Sequence, residues 1–271
     1  MEKILYALIT THCNLSCPYC DVKNKEEFFN KELFIKKLTE FDGRIILFGG
    51  EPTLYPNRLI DVFLDNPILN KKITSISTNL ISINDKLLTI YQLIGYLSTS
   101  WNTDRFTSDQ YKTWLENINI VKEKIPDVKI NILVTMTDNL LKLSPNDFND
   151  IISQWNKDAI DNIKFEHYIG DENTPKYFEK CDNWLCDIYK NWNKDFKMSN
   201  VNDILNWYHD CTNVFTIYPN GNIKNGCPHA VGISIPVECY SCERSSFCRP
   251  CQLQKYCSFP KKFYDLIKNG G

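Results

Sequence analysis

Short runs of β-branched and apolar residues alternate with amphipathic stretches of helical length through the first two thirds of this sequence. A strand period that alternates with a helix period predicts repeated βα units and a parallel sheet covered by helices. The predicted strands cover residues 4–9, 44–48, 72–77, 94–99, 128–136 and 162–169, and the predicted helices cover residues 31–41, 58–64, 85–93, 108–124 and 145–156. Such units, joined by right-handed crossovers, predict an α/β fold whose parallel sheet curves into an incomplete barrel.

The pattern changes near residue 174. Residues 174–196 predict a long aromatic helix and residues 201–208 a second one, after which cysteines and turn residues dominate. The segment from Tyr218 to Asn222 lies between two short apolar runs and predicts a hairpin turn. We therefore expect a barrel core over residues 1–173, a helical linker over 174–210 and a cysteine-rich domain over 211–271.

The twelve cysteines fall into two groups. Three lie between Cys13 and Cys20, nine lie between Cys181 and Cys257, and residues 22–180 contain none. A disulfide scaffold requires secretion, but the apolar stretch at the N-terminus is too short for a membrane span and is followed by no signal cleavage pattern. We therefore expect a cytoplasmic protein whose cysteines bind metal or iron–sulfur clusters. The net charge of −2 provides no general attraction to nucleic acid or to a membrane, so the expected partner is a peptide or a small molecule.

The first group of cysteines forms the sequence CNLSCPYC, in which Cys13, Cys17 and Cys20 directly follow the first predicted strand. Three thiolates on one loop can bind three irons of a four-iron cubane and leave the fourth iron open to another ligand. Clusters that only carry electrons usually have four cysteine ligands. The alternative is a zinc knuckle in which His12 supplies a fourth ligand.

A second motif, FGGEP over residues 48–52, follows the second predicted strand. Two glycines let the backbone approach a ligand closely, and an acid at the carboxyl end of a strand can accept hydrogen bonds from an ammonium group. Alone, this segment would be an ordinary turn. It is informative because it follows the cysteine loop by one βα unit.

Together, the two motifs resemble the signature of the radical S-adenosylmethionine (SAM) superfamily. The resemblance implies a partial (β/α)6 TIM barrel and a [4Fe-4S] cluster whose open iron is chelated by the amino and carboxylate groups of SAM. The implied cluster ligands are Cys13, Cys17 and Cys20, and the implied SAM contacts are Tyr19, Gly49, Gly50, Glu51, Pro52, Thr78, Asn79 and Ser100. Asn102 stands where related enzymes more often have Asp. The alternative for these polar residues at strand ends is that they only satisfy backbone groups.

The C-terminal cysteines form a second constellation. Two CxxC pairs separated by a short loop would, alone, predict a zinc ribbon. Because they follow the first two motifs in the chain, these cysteines resemble the SPASM extension, which holds two auxiliary [4Fe-4S] clusters. The resemblance implies a distal cluster on Cys239, Cys242, Cys248 and Cys257 and a nearer cluster on Cys211, Cys227 and Cys251. This sequence has one extra residue between Gly221 and Cys227, and two residues instead of three between Cys248 and Cys251. The nearer cluster would have Cys181 or Cys186 as its fourth ligand, or an open iron, and the alternative for both residues is that they are small buried apolar side chains.

The resemblance implies an enzyme that reductively cleaves SAM to a 5′-deoxyadenosyl radical, which abstracts hydrogen from a substrate while the auxiliary clusters accept a second electron. Enzymes with this extension mostly modify peptides, so the resemblance favours a ribosomal peptide maturase that oxidises or crosslinks a precursor peptide. Its expected partners are an electron donor such as flavodoxin or ferredoxin and a separate protein that binds the leader peptide. The alternatives are a dehydrogenase or epimerase acting on a sugar or aminocyclitol, and a non-catalytic zinc-binding module. No catalytic acid or base is predicted.

Overall fold

The computed structural model of the chain describes residues 3–20, 31–64, 66–167, 175–201, 213–225 and 260–270. The strands are β1 (Ile4–Leu8), β2 (Arg44–Phe48), β3 (Ile73–Ser77), β4 (Tyr96–Trp101), β5 (Lys129–Met136), β6 (Asn162–His167), β7 (Val214–Ile217) and β8 (Ile223–Asn225). The helices are α1 (Lys31–Glu40), α2 (Pro56–Leu64), α3 (Pro67–Lys72), α4 (Asp85–Ile94), α5 (Ser108–Lys124), α6 (Pro145–Ile152), α7 (Pro175–Lys190) and α8 (Lys261–Lys268).

One sheet contains every described strand, in the order β6-β5-β4-β3-β2-β1-β7-β8. All neighbouring pairs from β6 to β7 are parallel, and only β7 and β8 are antiparallel. Each βα unit from β1 to β6 adds its strand beside the previous one. The predicted α/β fold with a mostly parallel sheet is therefore confirmed, and it is consistent with a partial barrel.

The predicted hairpin is confirmed, but it lies in an unexpected place. Strand β7 pairs in parallel with β1, with Ile4 opposite Val214 and Ala7 opposite Ile217. Its first, third and fourth residues are buried, because pairing with β1 places this strand within the sheet. The hairpin therefore extends the barrel sheet, although its residues belong to the segment expected to form a separate cysteine-rich domain. The three-part division of the chain stays a prediction.

Local sequence signals account for several helix boundaries. Helices α5 and α6 begin with capping boxes at Thr107 and Ser144, in which each hydroxyl accepts from the backbone N–H three residues later. Helix α3 was not predicted, although Asn66 caps its start and Pro67 occupies its first position. The cap signal was present, but the helix has only six residues and shows too little periodicity for a pattern-based prediction.

The two faces of the sheet differ in burial. In β4, Leu97, Thr99 and Trp101 are buried, and the indole Nε1 of Trp114 in α5 donates to Thr99 Oγ1 over 3.0 Å. These residues face the helices. Ser98 and Ser100 alternate with them and are only half-buried, so they lie on the opposite, concave face.

Helix α7 packs against the far end of the sheet through aromatic side chains. Trp184 contacts Phe148 and Phe165 with ring centroids 5.5 and 5.4 Å apart, and Trp192 contacts the same two rings. Trp184 and Trp192 thus form an aromatic face packed against the sheet and α6, while Trp207 and Tyr208 lie outside the described residues. Among the described helices, none is long and apolar enough to cross a bilayer.

Asp161 joins the starts of β5 and β6 at the amino edge of the sheet. Its carboxylate accepts from the Ile130 N–H over 2.9 Å, and the Lys129 and Lys122 ammonium groups lie 2.9 and 3.7 Å away. Burial alone would raise the pKa of this carboxyl, but the hydrogen bonds and the two lysines outweigh it and lower the pKa below 3.8. Asp161 therefore stabilises the fold in its charged form.

We expect Asp161→Ala to lower the free energy of unfolding at pH 7 by about 1–3 kcal/mol, because it leaves the Ile130 N–H without an acceptor. Since the folded-state pKa lies below the ordinary 3.8, this difference should persist above that pH and shrink as the pH falls through the folded-state pKa. Urea unfolding at several pH values measures it. Asp195→Ala removes an exposed carboxylate 3.8 Å from Lys157 and should cost less than about 0.5 kcal/mol. Equal losses in the two variants would contradict this role.

Candidate functional site

The three N-terminal cysteines lie in the loop that follows β1. Cys13 and Cys17 are half-buried and Cys20 is exposed. Residues 17–20 form a turn in which the Cys20 N–H donates to the Cys17 carbonyl over 3.1 Å, and Pro18 occupies the turn position that proline favours. Burial raises the pKa of the Cys13 thiol, and a hydrogen bond from the Leu15 N–H to its sulfur, 3.4 Å long, opposes that rise.

The glycine loop after β2 binds directly to the backbone of the cysteine loop. The Gly50 N–H donates to the Thr10 carbonyl and the Glu51 N–H to the His12 carbonyl, both over 2.7 Å. A Cβ at Gly49 would lie 2.3 Å from the Thr10 oxygen, and one at Gly50 would lie 2.2 Å from the His12 oxygen. The close approach predicted for these glycines is therefore an approach to the cysteine loop of the same chain.

Glu51 is buried between the loops that follow β2 and β3, with 1% of its surface exposed. Its Oε1 accepts from the Thr53 N–H and hydroxyl over 3.0 and 2.6 Å, and its Oε2 accepts from the Asn79 N–H over 2.5 Å. Burial raises the pKa of this carboxyl, while the hydrogen bonds from Thr53 and Asn79 act in the opposite direction. Its predicted contact with the SAM ammonium group stays a prediction, and the contacts present are to the chain itself.

Asn79 connects the loop after β3 to the cysteine loop. Its Nδ2 donates to Asn14 Oδ1 over 2.6 Å, and its Oδ1 accepts from the Ile81 N–H over 3.0 Å. The next residue, Leu80, has φ = 54°, a left-handed conformation that costs a leucine roughly 1–2 kcal/mol. The Asn117 amide donates to the Leu80 carbonyl, and the Thr78 hydroxyl accepts from the Leu80 N–H. Buried polar groups therefore hold this strained turn in place.

Asn102 follows β4 and is buried. Its Nδ2 donates to the Thr135 carbonyl and to Thr137 Oγ1 over 2.8 and 3.0 Å, while its Oδ1 accepts from the Asp104 N–H over 2.7 Å. An ionised Asp could make the last contact but neither of the first two. The amide is thus required by the end of β5, which explains the departure from Asp at this position.

Arg105 is a candidate site residue that the sequence analysis missed. Its Nη1 lies 3.7 Å from Cys17 Sγ and 3.4 Å from the Tyr19 hydroxyl. Strands β1 and β4 are separated by β2 and β3, so a flat sheet would hold them about 14 Å apart at the usual strand spacing. The contact therefore agrees with a curved sheet whose loops converge over the carboxyl edge. The available signal was an arginine shortly after a strand, which is weak because basic residues are common in loops.

The donor chemistry of the cysteine loop fits an iron–sulfur cluster, since three thiols lie on one partly exposed loop. Within the described ranges, no three His, Cys, Asp or Glu side chains are grouped so as to hold a metal ion. His12, the alternative fourth ligand, has its Nδ1 2.6 Å from the Tyr55 hydroxyl.

The seven cysteines assigned by resemblance to auxiliary clusters lie outside the described residues: Cys211, Cys227, Cys239, Cys242, Cys248, Cys251 and Cys257. Cys181 and Cys186 are described and lie buried on α7. Burial raises the pKa of Cys181 to about 12 and that of Cys186 to about 11. Their burial favours their interpretation as small apolar side chains.

A family profile described as Radical SAM superfamily matches residues 8–141. This range includes the cysteine loop, the glycine loop and Arg105. Residues 8–141 are therefore similar to the radical SAM superfamily. A comparison with curated proteins gives no significant match.

Three solved structures of SuiB from Streptococcus suis are similar to this chain. SuiB bound to S-adenosylmethionine has a TM-score of 0.62 at 15% identity, covering 100% of this chain and 75% of SuiB. SuiB bound to the precursor peptide SuiA has a TM-score of 0.57 at 17% identity, covering 82% and 59%. SuiB alone has a TM-score of 0.58 at 16% identity, covering 98% and 65%. This chain thus spans less than two thirds of SuiB in two of the three comparisons, and at these identities the likeness shows the fold alone.

We expect Glu51→Gln to lower the free energy of unfolding by about 1–3 kcal/mol. Both carboxylate oxygens accept from a backbone N–H, so the NH2 of the new amide would place a donor against one of these donors. SAM affinity should also fall, since the loops move. Anaerobic urea unfolding and calorimetric SAM titration measure the two effects. The matched control, Glu116→Gln, alters an exposed acid 4.0 Å from Lys112 and should change neither quantity appreciably. Unchanged stability with weakened SAM binding would show that the carboxylate serves SAM and not the loops.

Proposed function

We propose that this chain is a radical SAM enzyme that modifies a peptide by oxidation or crosslinking. The observation that carries the proposal is the convergence of three loops at the carboxyl edge of the sheet, which brings the cysteine trio, the glycine motif and Arg105 together. Carboxyl edges of parallel strands are where α/β barrels carry their reactive sites. The radical SAM profile matches the same part of the chain.

The proposed cofactors are a [4Fe-4S] cluster on Cys13, Cys17 and Cys20 and one SAM molecule. A reduced cluster, when bound, supplies the electron that divides SAM into methionine and a 5′-deoxyadenosyl radical. The chain's part is to orient SAM and to exclude water. We assign these contacts to Tyr19, Gly49, Gly50, Glu51, Pro52, Thr78, Asn79 and Ser100. Of these, Ser100 lies half-buried on the concave face, and burial raises the pKa of Tyr19 to about 12, so its hydroxyl stays protonated.

A peptide substrate is supported by two observations. SuiB, which shares the fold, has been solved with a precursor peptide. The concave face also offers half-buried side chains of mixed character, among them Tyr6, Phe48, Leu133 and Thr135. Such a surface can hold one substrate side chain near the carboxyl edge. The substrate loses a hydrogen atom to the 5′-deoxyadenosyl radical and then one electron and one proton, which completes a two-electron oxidation.

The second electron requires an acceptor, and we propose the two auxiliary clusters for that role. The distal cluster takes Cys239, Cys242, Cys248 and Cys257, and the nearer one takes Cys211, Cys227 and Cys251. Support for grouping Cys211 with Cys227 comes from the hairpin between them, because Phe215 pairs with Asn225 and both hairpin ends lie at the same edge of the sheet. A flavodoxin or ferredoxin is the proposed electron donor, and a separate protein is the proposed partner that binds the leader of the precursor peptide.

Replacing Cys13, Cys17 and Cys20 together by Ala should abolish reductive SAM cleavage and remove one cluster, about four of roughly twelve irons in the reconstituted protein. Chromatographic detection of 5′-deoxyadenosine and colorimetric iron and sulfide assays provide the measurements. Cys186→Ala is the matched control, because it removes a buried thiol and should leave both values unchanged. Retained SAM cleavage in the triple variant would overturn the central assignment.

Replacing Cys239 and Cys242 by Ala should leave SAM cleavage measurable while abolishing oxidised peptide, because only the second electron transfer loses its acceptor. The assay follows the mass of a substrate peptide before and after incubation with the enzyme, by mass spectrometry. Circular dichroism tests whether the domain still folds, since cluster binding stabilises loop-rich segments. Cys181→Ala controls for the loss of any thiol. Product formed at the parent rate by a folded variant without its distal cluster would exclude the acceptor role.

A further inference from the structure

The guanidinium of Arg105 is a positively charged group that the fold directs at the cysteine loop. It extends from the loop after β4 and reaches Cys17 Sγ and the Tyr19 hydroxyl with the same nitrogen, Nη1. Its Cζ lies 5.3 Å from the centre of the Phe106 ring, which covers one side of the guanidinium. These contacts hold the side chain over the carboxyl edge of the sheet.

No carboxylate in the described part of the chain lies within ion-pair distance of Arg105. The neighbouring acid, Asp104, is engaged elsewhere, since its carboxylate accepts from Thr137 Oγ1 over 3.2 Å and from Asn139 Nδ2 over 2.8 Å. The Arg105 Nε is buried and has no hydrogen-bond partner. A buried guanidinium donor without an acceptor is costly, so the site is built to receive negative charge.

The position of Arg105 is fixed by groups on two strands. Its N–H donates to the Asn102 carbonyl over 3.2 Å, and the buried Asn102 amide is anchored to the end of β5 through Thr135 and Thr137.

We propose that Arg105 is a positioning residue that compensates the negative charge of the cysteine-bound cluster and raises its reduction potential. The inference rests on the proposed function, because it requires a cluster on Cys13, Cys17 and Cys20. Reduction adds one electron, and hence one negative charge, to a centre already surrounded by thiolates. A fixed cation that donates to a ligand sulfur stabilises the reduced state more than the oxidised state.

The test is a redox titration of the full-length, anaerobically reconstituted protein with dithionite in the absence of SAM, followed by electron paramagnetic resonance. The signal of interest is the one missing from the triple variant of Cys13, Cys17 and Cys20. Arg105→Met should shift its midpoint potential to a more negative value, and Arg105→Lys, which keeps the charge, should lie closer to the parent. Arg44→Met, at the opposite edge of the sheet, should match the parent.

Each further outcome has a defined meaning. An unchanged midpoint potential in Arg105→Met overturns the inference. If SAM affinity then falls, the guanidinium acts on the SAM carboxylate instead. If Arg105→Met loses the cluster, Arg105→Lys decides: a bound cluster with a near-parental potential supports charge compensation, whereas loss in both variants indicates a purely structural role. If the parent's iron content does not depend on Cys13, Cys17 and Cys20, the proposed function fails independently of Arg105.

Discussion

The close backbone contact between the loops after β1 and β2 is the constraint on which the candidate site depends. Hydrogen bonds from Gly50 and Glu51 to the carbonyls of Thr10 and His12 continue the pairing of the two strands beyond their ends. Because any Cβ at Gly49 or Gly50 would collide with those carbonyl oxygens, only glycine permits this contact. The cysteine loop therefore leaves the sheet at a defined point, since Cys13 directly follows the last hydrogen-bonded residue, His12.

Buried polar groups extend this constraint across the carboxyl edge. Glu51 accepts from the loop after β3, Asn79 of that loop donates to Asn14 of the cysteine loop, and Asn117 of α5 holds the strained turn at Leu80. A buried carboxylate and a left-handed leucine each cost free energy, and the hydrogen bonds that they make offset it. A network of this kind is rigid because every member needs its partners, which suits the radical chemistry proposed for this edge.

Local sequence signals predicted much of the barrel. Strand β2 and helix α5 have the predicted bounds, and capping boxes at Thr107 and Ser144 begin α5 and α6. The cysteine and glycine motifs come together as their spacing indicated. The prediction failed where an element is short, as in α3, or where a strand finds a distant partner, as β7 does with β1. Periodicity indicates which face of an element is buried, but it does not indicate which other element covers that face.

The sequence by itself determined the alternation of strands and helices, the cysteine spacing and the paired glycines, because these features act within a few residues of the chain. Only the tertiary structure decided that Glu51 accepts hydrogen bonds from the loops around it, that the Asn102 amide donates to the end of β5, and that Arg105 faces Cys17 across 88 residues of sequence. The physical reason is that charge compensation and hydrogen-bond satisfaction depend on which buried groups meet. Sheet curvature, and not local propensity, brings those groups together.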